Sequence, residues 1–319
     1  MPFQPAPPLP QFIAQQLPIA RGSYELERGP NAGRDLHYLD TRDGEGPTVV
    51  LVHGNPTWSF LWRKVIAALP GRRCVAPDLL GFGLSSRLPH EDDHRVDRHA
   101  DSLLELVDAL ELDRVVLVGQ DWGGPFVASL GARLGETRPD RVAGVVLGNT
   151  SVLVPRVPRG TLFHRFARTR VLSDVAFKLL GFPQNVLWSV QGSKRSIRGK
   201  VSRAYRWPLQ RRSDRVGPLA LARMVPDSVA HPAIDELRRG EAWMRAFRGP
   251  MALVWGTRDP ILGKALRRHE EAFPNAPVTL TQAGHFLQEE VPEALASAIE
   301  GVLQRSESEV AEARASGSK

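Results

Sequence analysis

Cysteine is almost absent: Cys74 is the single one in 319 residues, which excludes a disulfide framework and a cysteine-built zinc site. No run approaches about 18 consecutive apolar residues, so no transmembrane helix is expected. No basic residue precedes Arg21 and proline interrupts the start repeatedly, so the charged entry and unbroken apolar run of a secretory signal are missing. The expected location is cytoplasmic. Nor is the chain poor enough in apolar residues to be disordered, with 42% hydrophobic and 24% charged. Its length suits one large domain, or one domain carrying a sizeable insertion.

Acidic residues are scarce in one stretch in particular. The chain carries +7 overall, mostly from arginine, yet residues 151–215 hold fifteen Lys/Arg against two acids, Asp174 and Asp214. That stretch is therefore +13, which leaves −6 for the remainder of the overall +7. The sign alone does not imply nucleic acid, and none is expected as a partner. A basic surface attracts anionic lipid headgroups or an acidic protein partner, with a force that salt weakens. An arginine-rich solvated surface accounts for it equally well.

What is present is an alternation of strand and helix signals. Runs with β character cover residues 23–27, 35–41, 48–53, 74–77, 115–118, 142–147, 251–255 and 277–281. Helical spacing covers 61–69, 97–110, 126–134, 234–247, 262–273 and 292 to about 303. Such alternation requires parallel pairing with right-handed crossovers, hence an α/β fold with a doubly wound, mostly parallel sheet. The expected organisation is a Pro-rich leader over 1–22 and a core over 23–150 and 226–305. A helical cap, 151–225, is inserted over the C-terminal edge of the sheet, where ligands bind in open α/β folds. The small, polar residues 306–319 are expected to form a disordered tail.

The strongest chemical signal is Gly119-Gln120-Asp121-Trp122-Gly123, a Gly-x-nucleophile-x-Gly frame with Asp in the central place. Two glycines let a strand reverse sharply into a helix, so that the central side chain stands clear at the helix N-terminus, which favours negative charge. A carboxylate there attacks without a base, whereas serine needs one. Alone, the same frame also fits an aspartate capping an ordinary helix. Two further pieces follow in the order nucleophile, acid, histidine. Asp259 lies just past the strand 251–255, and His285 lies in the loop after 277–281. Both loops open on the edge that carries the frame, and an acid-held histidine can take a proton from water.

The fourth piece is His53-Gly54-Asn55-Pro56-Thr57-Trp58, after the strand 48–53. Where such an elbow serves a nucleophile, the loop after His-Gly and the residue after the nucleophile each supply an oxyanion-hole N–H, and here those would be the backbone amides of Asn55 and Trp122. The Asn55 side-chain amide and the Trp122 indole N–H add two donors that can face the same small cavity. Two such donors beside a carboxylate suit a leaving anion such as halide. Asn55 could instead only shape the turn before Pro56. The Asp78-x-x-Gly-x-Gly-x-Ser segment shapes a loop and is no phosphate loop, because no Gly-Lys frame follows.

Together the segments HGNPTWSFLWR, PDLLGFGLSS, VGQDWGG, WGTRDP and AGHFLQE make the chain resemble a haloalkane dehalogenase of the α/β-hydrolase superfamily, over roughly residues 23–303. The resemblance implies that Asp121 displaces halide to form an alkyl ester. Asn55 and Trp122 then hold the departing halide, and His285 with Asp259 drives water onto the ester. Some family members place the acid after the earlier strand, which here ends in Gly148-Asn149-Thr150; Asn149 cannot ionise, which favours Asp259. No metal or organic cofactor is implied. The expected partners are a small hydrophobic substrate, haloalkane or β-lactone, and a halide ion. Cap aromatics Phe163, Phe166, Phe177, Phe182, Trp188, Tyr205 and Trp207 could line the pocket, with Trp188 or Trp207 open as a further halide donor.

Three other activities fit parts of this pattern. A β-lactone decarboxylase of olefin biosynthesis resembles the same segments closely, with Asp121 attacking the lactone ring carbon. An epoxide hydrolase needs two acidic cap hydroxyls, and of Tyr24, Tyr38 and Tyr205 only the last lies in the cap. A ligand-binding receptor that has lost turnover would not need Asp121, Asp259 and His285 intact.

Overall fold

The computed structural model describes residues 2–156 and 162–317. Met1 of the leader, Arg159 of the basic stretch and the last two residues of the expected tail lie outside them. Nine strands form one sheet: β1 Phe3–Pro5, β2 Arg21–Glu25, β3 Asp35–Asp40, β4 Thr48–Val52, β5 Cys74–Pro77, β6 Val115–Asp121, β7 Val142–Thr150, β8 Met251–Gly256 and β9 Val278–Thr281. Their spatial order is β1-β2-β3-β5-β4-β6-β7-β8-β9. The first three pairings are antiparallel, and from β5 onward every pairing is parallel.

Twelve α-helices are found among the described residues: α1 Gln11–Ala14, α2 Arg63–Ala67, α3 Val96–Ala109, α4 Gly123–Thr137, α5 Leu162–Ala167, α6 Arg170–Asp174, α7 Gly199–Arg206, α8 Val216–Met224, α9 Ile234–Ala246, α10 Leu266–Ala272, α11 Leu287–Glu290 and α12 Pro292–Gly317. None is long and apolar enough to cross a membrane.

The sheet is parallel and central because its strands can be buried on both faces. In β4 every residue of the run TVVLV is buried, as is every residue of β7. Period-2 alternation then divides each strand between two cores. Val50, Val52, Leu117, Val145 and Leu253 face one core, which packs beneath α3, α4 and α9. Val49, Leu51, Val116, Val118, Val146 and Val254 face the other, beneath α2 and α12. A one-residue slip would exchange the faces, so register is strongly specified. Between β7 and α9 the chain leaves the sheet for a run of helices, α5 to α8, that packs against the loops at the strand ends.

Two expectations about the ends of the chain are corrected. The stretch from Ser306 is not a tail without structure: it continues α12 to Gly317. Ser306 is buried and accepts a 2.9 Å bond from Arg114, while Glu307 pairs with Arg72 at 2.7 Å. Composition suggested disorder, but these contacts come from residues far away in the chain. The Pro-rich start also belongs to the fold. Phe3–Pro5 pairs with β2, and Ile13 and Leu17 are buried in the second core.

The contacts of Ser306 and Glu307 predict that truncation after Arg305 lowers stability by about 1 kcal/mol, a few degrees in Tm. Thermal unfolding of full-length and truncated chains reads this out, and coincident transitions would show that the last turns of α12 add nothing.

Candidate active site

The parallel strands all end at one edge, and that edge collects the residues singled out above. β6 runs into α4 through Asp121, whose φ of +51° is the left-handed region that side chains rarely adopt. The turn closes only because its neighbours lack Cβ atoms. A Cβ on Gly123 would sit 2.0 Å from the Val52 carbonyl oxygen, and one on Gly119 would meet the Gly123 backbone at 2.7 Å. Thr150 Oγ1 donates a short bond of 2.5 Å to the Asp121 carbonyl and ties the turn to the end of β7.

From this turn the Asp121 carboxylate reaches two neighbours. The backbone N–H of Asn55 donates to Oδ1 at 2.7 Å. On the other side, His285 Nε2 lies 3.5 Å from Oδ2. The opposite ring nitrogen, Nδ1, is 3.0 Å from Asp259 Oδ2, and the Asp259 side chain is fully buried. The three groups therefore form one row, Asp121–His285–Asp259, drawn from the ends of β6, β9 and β8. Burial pushes the His285 imidazole down, but the carboxylates of Asp259 and Asp121 outweigh it and raise the ring to about 10.

Several positioning contacts had no signal in the sequence. Asn149, at the end of β7 with φ +38°, donates from Nδ2 to the carbonyls of Gly284 (2.7 Å) and His285 (3.1 Å). Its Oδ1 accepts from Gly256 N at 2.9 Å, so the residue noticed only for what it lacks, a charge, is a clamp between β8 and the histidine loop. Gln120 adds a 3.1 Å bond to the same His285 carbonyl. From the helical segment, Val190 O accepts from His285 N (2.9 Å) and Gln191 Oε1 from Phe286 N (2.9 Å). Below the Asn55 loop, the neutral His53 ring donates from Nδ1 to Gly54 O and accepts from Leu79 N; burial holds its pKa down. The buried Asp78 carboxylate accepts from Ser59 N, Leu84 N and His37 Nδ1, joining the loops after β4 and β5.

Asp121 and Trp122 face a cavity of about 340 Å³. Its wall is mostly aliphatic, from Val152, Leu153, Val154, Leu237, Ile261 and Leu262, with His164 of α5 as its one histidine among the described lining residues. Burial lowers His164 to about 4, with Asp121 opposing, so the ring is neutral at pH 7. The Trp122 indole N–H has no hydrogen-bond partner among the described residues. Asn55 Nδ2 donates to Pro218 O at 2.9 Å, which engages one of its two N–H bonds with the segment above.

The aromatics expected to line this cavity do not. None of Phe163, Phe166, Phe177, Phe182, Trp188, Tyr205 or Trp207 is among its lining residues. Phe163, Phe166, Phe177 and Phe182 pack on one another in a separate small core. Trp188 lies under Lys194 and Arg198, and Trp207 packs against the second core. Tyr205 is fully buried and donates to Glu289 Oε1 at 2.5 Å, its phenol held well above its ordinary range by burial.

A family model described as the alpha/beta hydrolase fold matches residues 47–292. Haloalkane dehalogenase 2 of Mycobacterium tuberculosis is 35% identical over 305 residues, covering 93% of this chain and 97% of that one. A haloalkane dehalogenase of Psychrobacter cryohalolentis is 30% identical, with 82% and 84% covered. Among solved structures, haloalkane dehalogenase DbeA from Bradyrhizobium elkani USDA94 superposes with a TM-score of 0.77 at 27% identity, covering 91% of this chain and 99% of that one.

Because His285 is raised from 6.5 to about 10, the stability contributed by its charged form is fully present below pH 6.5 and is lost as pH rises toward 10. Asp121→Asn removes one of the two charges responsible, and the imidazole should then titrate at lower pH than in the unaltered protein. Nuclear magnetic resonance of the labelled ring measures the midpoint, and an unchanged value would contradict the coupling.

Proposed function

The chain belongs to the alpha/beta hydrolase fold family and, within it, to the haloalkane dehalogenases, and from that membership we propose that it hydrolyses small haloalkanes through an ester on Asp121. The observation that carries this reading is the row Asp121–His285–Asp259, at 3.5 and 3.0 Å, whose Asp121 end alone enters an apolar cavity.

In the first step an Asp121 carboxylate oxygen attacks the sp³ carbon in line. A C–O bond forms as the carbon–halogen bond breaks, and halide leaves with the bonding pair. The aliphatic wall keeps the carboxylate poorly hydrated and reactive. The unengaged indole N–H of Trp122, which meets the cavity, stabilises the departing charge; the second side-chain N–H of Asn55 is the other donor of this reading, although Asn55 reaches the site through its backbone bond to Asp121 and is not among the residues lining the cavity. In the second step water attacks the ester carbonyl, and His285 Nε2 takes its proton while Asp259 holds the ring at Nδ1. The backbone amides of Asn55 and Trp122 stabilise the resulting oxyanion. Collapse breaks the acyl C–O bond and returns the proton from His285 to the departing alkoxide; the other hydrogen of the water stays on the new Asp121 carboxyl and leaves to solvent, which frees the alcohol and restores the carboxylate.

The two steps are linked through charge. Esterification neutralises Asp121, one of the two carboxylates that raise His285. The ring then holds its proton less tightly and can release it to act as a base for the second step. An epoxide hydrolase reading is disfavoured because Tyr205, the tyrosine of the inserted segment, is committed to Glu289 and is not among the cavity-lining residues.

His285→Phe should complete the first step and stop before the second. Intact-protein mass spectrometry after 1,2-dibromoethane should then show a covalent adduct, absent when Asp121→Ala is added. No adduct with any haloalkane, combined with alkene release from a β-lactone, would assign the site to decarboxylation instead. Trp122→Phe removes one halide donor and should lower kcat/KM by roughly 100-fold, about 3 kcal/mol, for chloride and bromide substrates alike.

A further inference from the structure

On the outside of the helical segment, α6 and the π-helical turn that continues it, Val175–Leu179, pack one face inward and leave the other bare. Ser173 and Phe177 are fully buried beneath. On the opposite face Val171 is 81% exposed, Leu172 60%, Val175 39% and Leu179 46%, followed by Leu180 at 68%. At helical spacing Val171, Leu172, Val175 and Leu179 fall within one arc of about 100°. Single exposed apolar residues are ordinary, but a contiguous set of this size marks an interaction surface.

The surroundings of that face are mostly basic, and the acids at its edge, Asp174 on α6 and Glu91 packed against it, are both paired with Lys178 and Arg223. Arg165 and Arg170 are exposed on its N-terminal side. The turn Arg212–Arg215 packs beside it, with the Arg215 guanidinium donating to the carbonyls of Lys178 and Leu179, and brings exposed Arg211 and Arg212. Among the described residues none of Arg165, Arg170, Arg211 and Arg212 has an acidic side-chain partner. The stretch's two acids do not compensate them, because Asp174 is held by Lys178 and Arg223, and Asp214 by Arg87.

We propose that this face is a peripheral membrane-docking surface, which lays Val171, Leu172, Val175 and Leu179 into the interface of an anionic phospholipid bilayer while the surrounding arginines engage headgroup phosphates. An apolar helical arc flanked by unpaired cations is the chemistry that such an interface selects. A second copy of the chain would oppose two strongly basic surfaces, and the like charges repel. A protein hot spot would centre on aromatic anchors, whereas this arc is purely aliphatic. Docking here would hold α5, which carries His164 in the cavity wall, close to a reservoir of hydrophobic small molecules.

The test is co-sedimentation of the full chain with vesicles of phosphatidylglycerol and phosphatidylcholine, or of phosphatidylcholine alone, at low and high salt. Binding is expected on the anionic vesicles only, weakening about tenfold or more as salt rises through the range where surface charges are screened. Leu172→Glu with Leu179→Glu, and separately Arg170→Glu with Arg211→Glu and Arg212→Glu, should each abolish binding. Circular dichroism and turnover of a soluble haloalkane should stay unchanged, since none of these residues touches the cavity. Absence of binding by the unaltered chain overturns the proposal. So does binding that survives the leucine pair, which would be charge adsorption alone. A dimer in sedimentation velocity that the leucine pair dissolves, without vesicle binding, would assign the face to a second copy. Capture by an acidic protein without vesicle binding would assign it to a protein partner.

Discussion

A left-handed backbone at a residue that is not glycine is the constraint around which the active edge is built. Holding Asp121 at φ +51° costs on the order of 1–3 kcal/mol, and it persists only if the surroundings leave no alternative. They do so from four directions. Glycines flank it where any Cβ would strike backbone, Thr150 grips its carbonyl, Asn55 N–H grips its carboxylate, and α4 begins immediately behind. Relaxing the turn would swing the carboxylate away from His285 and out of the cavity. The strain and the reach of the side chain are therefore the same fact. The two flanking cores, each fed by alternate residues of the same strands, are what make the edge rigid enough to hold it.

The row Asp121–His285–Asp259 places one imidazole between two carboxylates, an arrangement that over-stabilises the protonated ring while both acids are charged. In the proposed reaction this is no handicap, because the first step removes one of the two charges by turning it into an ester. The proton affinity of the base is thus lowered by formation of the intermediate whose hydrolysis it assists. Asp259 is deeply buried and Asp121 meets the cavity, so the two carboxylates cannot exchange roles. Asn149, bonded to the backbone carbonyls of Gly284 and His285 from β7, fixes the loop that carries the ring.

Much of this was legible in the sequence, and the pattern of what was legible has a physical cause. Strands β4 to β8 showed themselves because burial on both faces demands unbroken apolar runs. The turn at Asp121 showed itself because only glycine tolerates the contacts on either side. Local chemistry leaves local traces. The Asn149 clamp, the Gln191 bridge to Phe286 and the Arg72–Glu307 pair left none, because each joins residues dozens to hundreds of positions apart. The C-terminal end of α12 was misjudged for the same reason: small polar residues read as solvent-loving until Arg114 reaches across to Ser306. The aromatics of the helical segment misled differently. Four phenylalanines close together in the chain are as able to cluster with one another as to line a distant cavity, and they took the nearer option.

That outcome sharpens the meaning of the segment's charge. Residues 151–215 carry +13, yet among the described residues lining the cavity there is no lysine or arginine, and the one histidine is held neutral. A cation facing Asp121 would pair with the carboxylate and stabilise it before reaction, which would cost reactivity in a displacement that depends on a poorly solvated anion. In the proposed reaction leaving-group stabilisation falls instead to neutral N–H donors, which strengthen as charge develops and attract the resting carboxylate less. Among the described residues the basic side chains of this segment lie off the cavity wall, several of them exposed, where they can act on something other than the substrate. The same segment can therefore be strongly cationic to its surroundings and uncharged to its cavity, and the aliphatic inner wall beside Asp121 is what keeps those two properties apart.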